Sequence, residues 1–553
     1  MKVLLTAINA KYIHSNLAVY SLRAYAGKYA QQTEIAEYTI NQTMDDILSD
    51  IYRKKPDILC LSCYLWNILY VEQLITEIHK VLPKMQIWLG GPEVSYNAVS
   101  VMEQYPQVTG VMCGEGEETF LELMEYWNQE RESLDTIKGI VYRENGTCRQ
   151  NPPRPVMDLS KVPFVYDHIE DFQNKIIYYE SSRGCPFSCS YCLSSIDKSV
   201  RFRDLKLVLP ELDFFLEKKV PQVKFVDRTF NAKKSHAMAI WKHILEHDNG
   251  VTNFHFEITA DLLDEEELDL ISRMRPGLIQ LEIGVQSTNP DTIKAIRRKM
   301  DLDRLRYVVE RINAGKNVHQ HLDLIAGLPF EDYDSFGRSF NDVYSMEPEQ
   351  FQLGFLKVLK GSYMHEKVPD YDLQYRGKAP YEVLSTKWLP YSDVLRLKGV
   401  EDMVEVYYNS RQFMRTLKLF EQEFDGAFAM YEYMAGYYDE QHLTGLNHSR
   451  LARYEIFHDL ISRRAEQERM SMFEDALMCD LYLRENAKNR PSFALAQAPY
   501  KEEIRHMVPE LRTLGTQVHA EVLRSGEVLL FDYREKDRLN HNAKVTVLGR
   551  TDV

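Results

Sequence analysis

Two successive series of short apolar strands and amphipathic helices run along the chain, and this alternation limits its fold more than any other feature. Residues 1–150 contain five apolar runs separated by helical spacing, including Ile58–Ser62 and Val108–Cys113. Because parallel strands need crossover connections, the pattern predicts an α/β domain with a doubly wound parallel sheet, either Rossmann-like or flavodoxin-like. Ligands of such sheets bind beyond the carboxyl ends of the strands.

The second series begins at Ile176 and predicts a parallel barrel, partial or complete. We expect a partial (β/α)6 barrel, whose functional residues lie at the C-terminal ends of the strands. The candidate strands are Ile176–Ser181, Val223–Asp227, Phe254–Thr259, Leu278–Val285, His319–Ala326 and Gln350–Leu356.

Changes in composition mark the domain boundaries. The proline-dense run Asn151–Pro155 indicates a linker, and tyrosine-rich helical segments begin near residue 375. The tail, with Val518–Leu523 and Glu527–Tyr533 on either side of Ser525-Gly526, is typical of a hairpin. We therefore expect a sheet domain at 1–150, a linker at 151–172, a barrel core at 173–370, and a mainly helical region with a terminal hairpin at 371–553.

Three cysteines in the pattern C-x3-C-x2-C carry the chemistry. Cys185, Cys189 and Cys192 follow the first strand of the second series. Thiolates are the natural ligands of iron–sulfur clusters, and four normally complete a 4Fe–4S cubane. Three therefore leave one iron open, as catalysis at a metal requires. Zinc is the alternative, but zinc sites usually show two separated pairs, and no neighbouring His or Cys completes a tetrahedron.

With these cysteines, and with Tyr191 before the third, residues 176 to about 360 resemble the radical S-adenosylmethionine superfamily. The resemblance implies that the amine and carboxylate of S-adenosylmethionine bind the open iron. It also implies that one electron then splits the sulfonium and releases a 5′-deoxyadenosyl radical, which abstracts hydrogen.

The same resemblance places cosubstrate contacts at successive strand ends. It implies amine contacts at the second strand end, a carboxylate for the ribose at the fourth, and a turn near the adenine at the fifth. Two plainer interpretations stay open: an ordinary ion pair between Asp227 and Arg228, and a satisfied strand-end carboxylate at Glu282. The residues are Asp227, Arg228, Glu257, Glu282, Gln286, Asp323 and Gly327.

The sheet domain resembles the cobalamin-binding domain of cobalamin-dependent radical enzymes, on the runs Gly90–Glu93 and Gly114–Glu117. The D-x-H-x-x-G signature of an axial histidine is absent, so the lower face of the corrin has no assigned ligand. A flavodoxin-like domain used only for packing is the alternative. The residues expected near the cofactor are His14, Ser62, Tyr64, Trp66, Asn67, Gly90, Gly91, Pro92, Glu93, Gly114, Glu115 and Gly116.

Together the two resemblances imply a cobalamin-dependent radical enzyme, and methylation of an unactivated carbon is the commonest reaction of that group. Cobalamin-dependent rearrangement or cyclisation stays open, as does a non-catalytic cobalamin or redox sensor. A further alternative is a methylthiotransferase-like enzyme with a second cluster on Cys60, Cys63 and Cys113. Cys60 and Cys63, however, are three positions apart on a predicted strand and its end, which points their side chains to opposite faces.

Charge and cysteine use limit the location and the partners. A net charge of −15 disfavours a large nucleic-acid surface, and no apolar run reaches the roughly 20 residues of a membrane span. Eight cysteines in a chain of this size disfavour a disulfide scaffold, so we expect a cytoplasmic protein. The expected partners are a small-molecule or peptide substrate and a reductase or flavodoxin-type electron donor. The region after about 375 loosely resembles an uncharacterised C-terminal extension.

Overall fold

The computed structural model describes residues 1–509, 511–537 and 539–553. Its N-terminal part is a seven-stranded sheet in the order β2-β1-β3-β4-β5-β6-β7. The first five strands are parallel, as the sequence predicts, and the hairpin β6-β7 extends the same sheet in antiparallel fashion. The strands are β1 Val3–Asn9, β2 Thr33–Thr39, β3 Ile58–Ser62, β4 Gln86–Gly90, β5 Gly110–Met112, β6 Ile140–Glu144 and β7 Thr147–Gln150.

Helices cover both faces of this sheet. Leu59 and Leu61 of β3 point to one face and share a buried cluster with the second and third helices, whereas Cys60 points to the other face. The strand order is that of flavodoxin-like doubly wound sheets, with the switch point between β1 and β3. The helices are α1 Leu17–Tyr25, α2 Met44–Lys54, α3 Ile68–Val81, α4 Pro92–Ser95, α5 Ala98–Gln104 and α6 Glu117–Trp127.

The linker follows the surface of the sheet domain. The Arg154 side chain donates to Thr119 Oγ1 at 2.8 Å and pairs with Glu118 and Glu122 of α6. This proline-rich segment is thereby anchored at its start by several polar contacts.

Six parallel strands form the second sheet, in the order β8-β11-β12-β13-β14-β15. Its two edge strands do not pair with each other, so the barrel is partial. A short antiparallel pair, β9-β10, lies beside it. The strands are β8 Ile177–Tyr179, β9 Ser182–Arg183, β10 Arg201–Phe202, β11 Gln222–Phe225, β12 Asn253–Ile258, β13 Ile279–Gln286, β14 His319–Ala326 and β15 Gln350–Phe355.

Helices pack on the outer face of the partial barrel because alternate strand residues there are apolar. Phe256, Leu281 and Leu322 are fully buried on that face. The helices are α7 Leu205–Glu217, α8 Lys234–Glu246, α9 Glu265–Ser272, α10 Pro290–Ala295, α11 Leu302–Gly315 and α12 Tyr333–Tyr344.

The C-terminal region is mainly helical and packs against the barrel edge. A π-helical turn, Val404–Asn409, places the Asn409 carboxamide on both the amide and the carbonyl of Phe351 in β15, at 2.9 and 2.8 Å. The exposed edge of the partial barrel is therefore capped there. The helices are α13 Tyr363–Glu366, α14 Tyr391–Met403, α15 Met414–Phe420, α16 Ala427–Glu440, α17 Arg450–Ser462, α18 Met470–Arg484, α19 Lys501–Met507 and α20 Leu511–Leu514.

The predicted terminal hairpin is present and gains a third strand. β18 pairs with β19, and β19 pairs with β20, all antiparallel. The remaining strands are β16 Gln374–Tyr375, β17 Val383–Ser385, β18 Val518–Val522, β19 Glu527–Lys536 and β20 Ala543–Arg550. In the part of the chain that the structure describes, no helix combines the length and the apolar character needed to cross a bilayer.

Candidate functional site

The three predicted cluster cysteines lie on one loop between β9 and β10. Cys185 and Cys189 are buried and Cys192 is half-buried. The Ser195 hydroxyl donates to the carbonyls of Cys189 and Cys192, at 2.9 and 2.6 Å, and holds the loop closed. Gly184 has a φ of +96°, and a Cβ there would lie 2.7 Å from the Ser199 carbonyl oxygen. Only glycine fits where the loop leaves the strand.

The spacing of the three sulfurs argues against a mononuclear site. Among the described residues, the one group of three potential ligands whose atoms all lie within 4.8 Å is Asp213, His243 and His247. The cysteine sulfurs are therefore further apart than tetrahedral zinc allows, since bonds of about 2.3 Å place thiolates about 3.8 Å apart. A cubane binds each thiolate to a different iron and needs wider spacing, so the donor set suits a 4Fe–4S cluster.

Arg298, a residue that the sequence reasoning missed, joins this loop to the barrel. Its Nη1 lies 3.8 Å from the Cys189 sulfur, and its Nη2 donates to the Gly284 carbonyl. Its Nε is buried without a partner among the described residues. Burial opposes the charge of Arg298, but Tyr191, Cys189 and Asp323 raise its pKa. The only signal in the sequence is the basic pair Arg297-Arg298 just after α10, which has many plainer explanations.

Gln286 and Asp323, both predicted, meet at the ends of β13 and β14. Gln286 is in the left-handed region with φ +74°, where β13 bulges against β14. Its Nε2 lies 3.3 Å from Asp323 Oδ2, while its Oε1 is buried with no partner among the described residues. Burial raises the pKa of Asp323 to about 6. Such strain and an unpaired buried acceptor are common where a ligand binds.

Glu257 and Glu282 lie side by side in register on β12 and β13. Glu282 Oε2 accepts from His255 Nε2 at 3.0 Å and from Lys224 Nζ at 3.1 Å. Burial alone would raise the pKa of Glu282, but the His255 bond and the Lys224 charge outweigh it and lower the pKa to about 2. Burial raises the pKa of Glu257, opposed by the charge of Arg228.

The Asp227 carboxylate is occupied by hydrogen bonds within the chain, and its contact with the cosubstrate stays a prediction. Its carboxylate accepts from the Ser181 amide at 2.9 Å, the Ser181 hydroxyl at 2.7 Å and the Ser182 hydroxyl at 2.5 Å, and it is fully buried. It therefore positions the chain just before the cysteine loop. The alternative ion pair with Arg228 is wrong: the salt bridges of the described residues do not include it, and Arg228 is exposed.

Asp227→Ala is expected to destabilise the barrel strongly, since it leaves three buried donors without an acceptor. At about 1–3 kcal/mol for each unsatisfied group, we expect the melting temperature to fall by about 10 °C. Asp425→Ala, at an exposed position, is the matched control and is expected to change it by about 1 °C or less. Equal melting temperatures for the two variants would contradict this positioning role.

Several predicted cofactor residues lie at the carboxyl edge of the N-terminal sheet. His14 Nδ1 lies 2.6 Å from the Tyr178 hydroxyl of β8. Ser62 Oγ accepts from Asn16, and buried Asn67 donates to the carbonyls of Ile8 and Ser62. Gly90, Gly91 and Pro92 are half-buried beside them, Gly116 is half-buried at the start of α6, and Gly114 is exposed.

The aromatic pair Tyr64 and Trp66 stacks at this edge. The ring centroids are 4.5 Å apart and the planes differ by 9°. Trp66 is 46% exposed, although its indole N–H donates to the Ile8 carbonyl. Burial raises the pKa of Tyr64, and the guanidinium of Arg228 in the barrel opposes that rise. The pair therefore lies close to the barrel mouth.

The first glycine run has a packing role of its own. Gly91 has a φ of +113°, and a Cβ there would lie 2.5 Å from the Cys63 carbonyl oxygen. The need for glycine at this position therefore follows from the close approach of two strand ends, without any cofactor.

The glutamates of both glycine runs connect domains. Glu93 accepts from the Tyr381 hydroxyl at 3.0 Å, and Glu115 pairs with Arg201 at 2.6 Å. The third, Glu117, is paired through both oxygens by Arg183, at 2.7 and 3.3 Å. We predicted Glu93 and Glu115 as cofactor contacts; the structure gives both of them partners in other domains, and their contact with a cofactor stays a prediction. Arg183 directly precedes the cysteine loop, so this pair fixes the sheet domain to it.

The cysteines of the alternative second cluster do not converge. Cys60 and Cys63 belong to buried clusters on opposite faces of the sheet. Burial raises the pKa of Cys63 to about 12 and that of Cys113 to about 11. Side chains on opposite faces of a sheet cannot ligate one cluster, which removes the geometric support for a methylthiotransferase-like enzyme.

Three family models match successive parts of the chain. A B12 binding domain matches residues 3–124, the Radical SAM superfamily matches 179–343, and a protein family of unknown function, DUF4080, matches 369–538. These ranges fall within the sheet domain, the partial barrel and the C-terminal region respectively.

The curated relatives that the chain matches include methyltransferases, one of them a cobalamin-dependent radical SAM enzyme. The chain is 32% identical over 209 residues to an uncharacterized methyltransferase of Pyrococcus horikoshii, covering 36% of this chain and 45% of that protein. It is 25% identical over 353 residues to the cobalamin-dependent radical SAM methyltransferase TokK of Streptomyces tokunonensis, covering 59% and 51%. The chain thus spans about half the length of these relatives.

Among solved structures, the cobalamin-dependent S-adenosylmethionine radical enzyme OxsB is similar with a TM-score of 0.59 and 15% identity, covering 92% of this chain and 81% of that one. This similarity extends the shared fold over almost the whole molecule. The chain accordingly carries an N-terminal B12-binding domain, a Radical SAM domain and a C-terminal DUF4080 domain.

Proposed function

We propose that this protein is a radical S-adenosylmethionine enzyme that uses cobalamin to methylate an unactivated carbon. The observation that carries the proposal is the Arg183–Glu117 pair, which fixes the three-cysteine loop against the carboxyl edge of the B12-binding sheet. Radical and methyl-carrying chemistry would then share one cleft. When bound, the cluster supplies the electron that cleaves S-adenosylmethionine, and cobalamin supplies the methyl group.

The chain's own residues would bind and orient the cosubstrate. Arg298 and Asp323 offer opposite charges on either side of the strand ends near Cys189, suited to a carboxylate and an amine. Gln286 has an unpaired Oε1 that suits a ribose hydroxyl. Gly327 turns the chain after β14 with φ +86°, and Arg228 and Glu257 flank the same opening.

For cobalamin, the sheet edge offers a stacking platform and open space. The exposed indole of Trp66, stacked on half-buried Tyr64, presents a flat apolar surface, and nothing lies within 4 Å of a Cβ at Gly114. Gly90, Pro92 and Gly116 border this edge, as does Ser62. His14 would border the bound cofactor as well, and its Nδ1 already contacts the Tyr178 hydroxyl.

Trp66→Ala is expected to weaken cobalamin retention by about tenfold, because stacking on a large aromatic ring contributes about 1–3 kcal/mol. Purified protein is loaded anaerobically with hydroxocobalamin and desalted, and corrin absorbance is measured. Tyr52→Ala, which removes an equally exposed ring from α2, is the control. If both variants retain equal amounts of cobalamin, the proposed stacking on Trp66 is contradicted. If the wild type retains no cobalamin, cobalamin is removed from the proposal.

Product analysis tests the reaction itself. Methyl transfer leaves S-adenosylhomocysteine from one S-adenosylmethionine and 5′-deoxyadenosine from another. Reconstituted protein, reductant and methyl-deuterated cosubstrate, incubated with cell extract, should yield both products and a labelled metabolite. 5′-Deoxyadenosine alone would favour cyclisation, as named for the anaerobic magnesium-protoporphyrin IX monomethyl ester cyclase of Rubrivivax gelatinosus, 21% identical over 338 residues. If the fully loaded protein forms neither product, the result would favour a non-catalytic sensor.

The proposed setting is the cytoplasm, with a reductase or flavodoxin-type electron donor and a small-molecule or peptide substrate. All eight cysteines are free, which suits a reducing compartment. The net charge of −15 continues to disfavour nucleic acid as a partner.

A further inference from the structure

The inner face of the partial barrel is polar on four neighbouring strands. In β12, β13 and β14, the residues facing the helices are apolar except for Gln320, and the alternate residues facing inward are polar except for Gly284 and Ile325. A parallel barrel filled as a core carries bulky branched side chains there. We call this surface the polar wall, and it consists of Lys224, His255, Gln280, Glu282, His319 and His321.

Strand register makes the polar wall continuous. Lys224, His255, Gln280 and His319 lie at one level on β11, β12, β13 and β14. Glu282 and His321 pair at the next level toward the carboxyl ends. Since inward residues at matching levels are neighbours, the six side chains form one surface below the cosubstrate residues at the strand ends.

Charges within the polar wall compensate each other. Glu282 Oε2 is shared by Lys224 Nζ at 3.1 Å and His255 Nε2 at 3.0 Å. Burial lowers the pKa of His319 to about 4 and also lowers the pKa of His321. At neutral pH both imidazoles are therefore uncharged. The wall offers donors and acceptors but little net charge.

Two of these side chains have one ring nitrogen without a partner in the described part of the chain, although Gln350 and Gln352 of β15 hydrogen-bond the two imidazoles. The Nε2 atoms of His319 and His321 are buried with no hydrogen-bond partner among the described residues, and His321 is only 7% exposed. An unpaired buried polar atom costs about 1–3 kcal/mol, so a ligand or water must supply its partner. Solvent does reach the wall, because the Lys224 and Glu282 side chains are 26% and 28% exposed.

We propose that the polar wall binds the substrate, and that the substrate is an uncharged, hydroxyl-rich molecule. A hydroxyl both donates and accepts, so it can pair with neutral imidazole nitrogens and with carboxylate oxygens. A hydrocarbon would leave these polar atoms unpaired. The charges of the polar wall already compensate each other, so a strongly charged ligand would find no free opposite charge there. This inference rests on the proposed function, in which the cleft above the wall generates the radical.

A matched pair of probes tests the inference. The two probes are myo-inositol and cyclohexanol, which share a six-carbon ring and differ in the number of hydroxyls. Saturation-transfer NMR on anaerobically reconstituted holoprotein, with both at equal concentration, should give a signal at least about tenfold stronger for myo-inositol. The double variant His319→Leu/His321→Leu should lose that signal.

Control variants separate recognition from misfolding. His321→Gln keeps a hydrogen-bonding side chain and should retain most of the signal, and His247→Leu removes an exposed histidine outside the barrel and should leave it unchanged. A cyclohexanol signal equal to that of myo-inositol, an unchanged signal in the double variant, or no signal in the wild type would each overturn the inference. 5′-Deoxyadenosine formation, assayed in parallel, shows separately whether the proposed function holds.

Discussion

Cys189→Ala is expected to abolish both the cluster and S-adenosylmethionine cleavage. Cys189 is the middle ligand of the three, it is buried, and Arg298 approaches its sulfur at 3.8 Å. Two remaining thiolates hold a cubane poorly. Substituting a residue that only hydrogen-bonds a metal ligand typically lowers metal affinity by about 10–100-fold. For loss of a ligand itself, we expect the affinity for iron to fall by more than about 100-fold. Iron and sulfide content, cluster absorbance and 5′-deoxyadenosine are the measurements.

Cys148→Ala is the matched control for that variant. Cys148 lies on β7, at the far edge of the N-terminal sheet, and is half-buried. We expect wild-type iron content and cleavage from it. Retained turnover by Cys189→Ala, or equal loss in both variants, would contradict the assignment of the cysteine loop.

Arg183→Ala is expected to release the B12-binding sheet from the cysteine loop. The guanidinium pairs with Glu117 at 2.7 Å and with Glu180 at 2.8 Å, and the Glu117 side chain is only 7% exposed. Burial would raise the pKa of Glu117, but Arg183 outweighs it and keeps the carboxyl ionised. Removing one partner of such a buried pair typically costs about 3–5 kcal/mol.

Limited proteolysis and hydrogen exchange measure that effect. In Arg183→Ala we expect faster exchange in α6 and in residues 183–192, together with loss of methyl transfer even when both cofactors are loaded. Lys28→Ala, which breaks an exposed pair with Glu130, should change neither, because exposed pairs contribute about 0–1 kcal/mol. Unchanged exchange in Arg183→Ala would show that this pair does not hold the two domains together.

Periodicity made most of the fold predictable. Both parallel sheets follow from apolar runs that alternate with helical spacing, and β14 even matches its predicted bounds of His319–Ala326. The antiparallel addition of β6-β7 to the first sheet and the third strand β20 were missed. Pairing between strands depends on contacts distant in sequence, which local patterns do not encode.

The site was predictable where the chemistry is local. Three cysteines within eight residues define their own loop, whereas the role of Asp227 depends on Ser181 and Ser182, which are 46 and 45 positions away. Arg298 was missed for the same reason, because its partners Cys189 and Gly284 come from other elements. Glu93 and Glu115 followed glycines and were predicted as cofactor contacts, although their partners lie in other domains.

Electron paramagnetic resonance of the reduced, anaerobically reconstituted protein tests the central claim most directly, because it reports on the coordination of the cluster iron. With Cys185, Cys189 and Cys192 as the proposed protein ligands, one iron stays open, so we expect a 4Fe–4S signal whose g values shift when S-adenosylmethionine is added. A cluster signal whose g values do not change on addition of S-adenosylmethionine would mean that protein ligands bind all four irons, and it would contradict the proposed open iron. The absence of any cluster signal would contradict it as well.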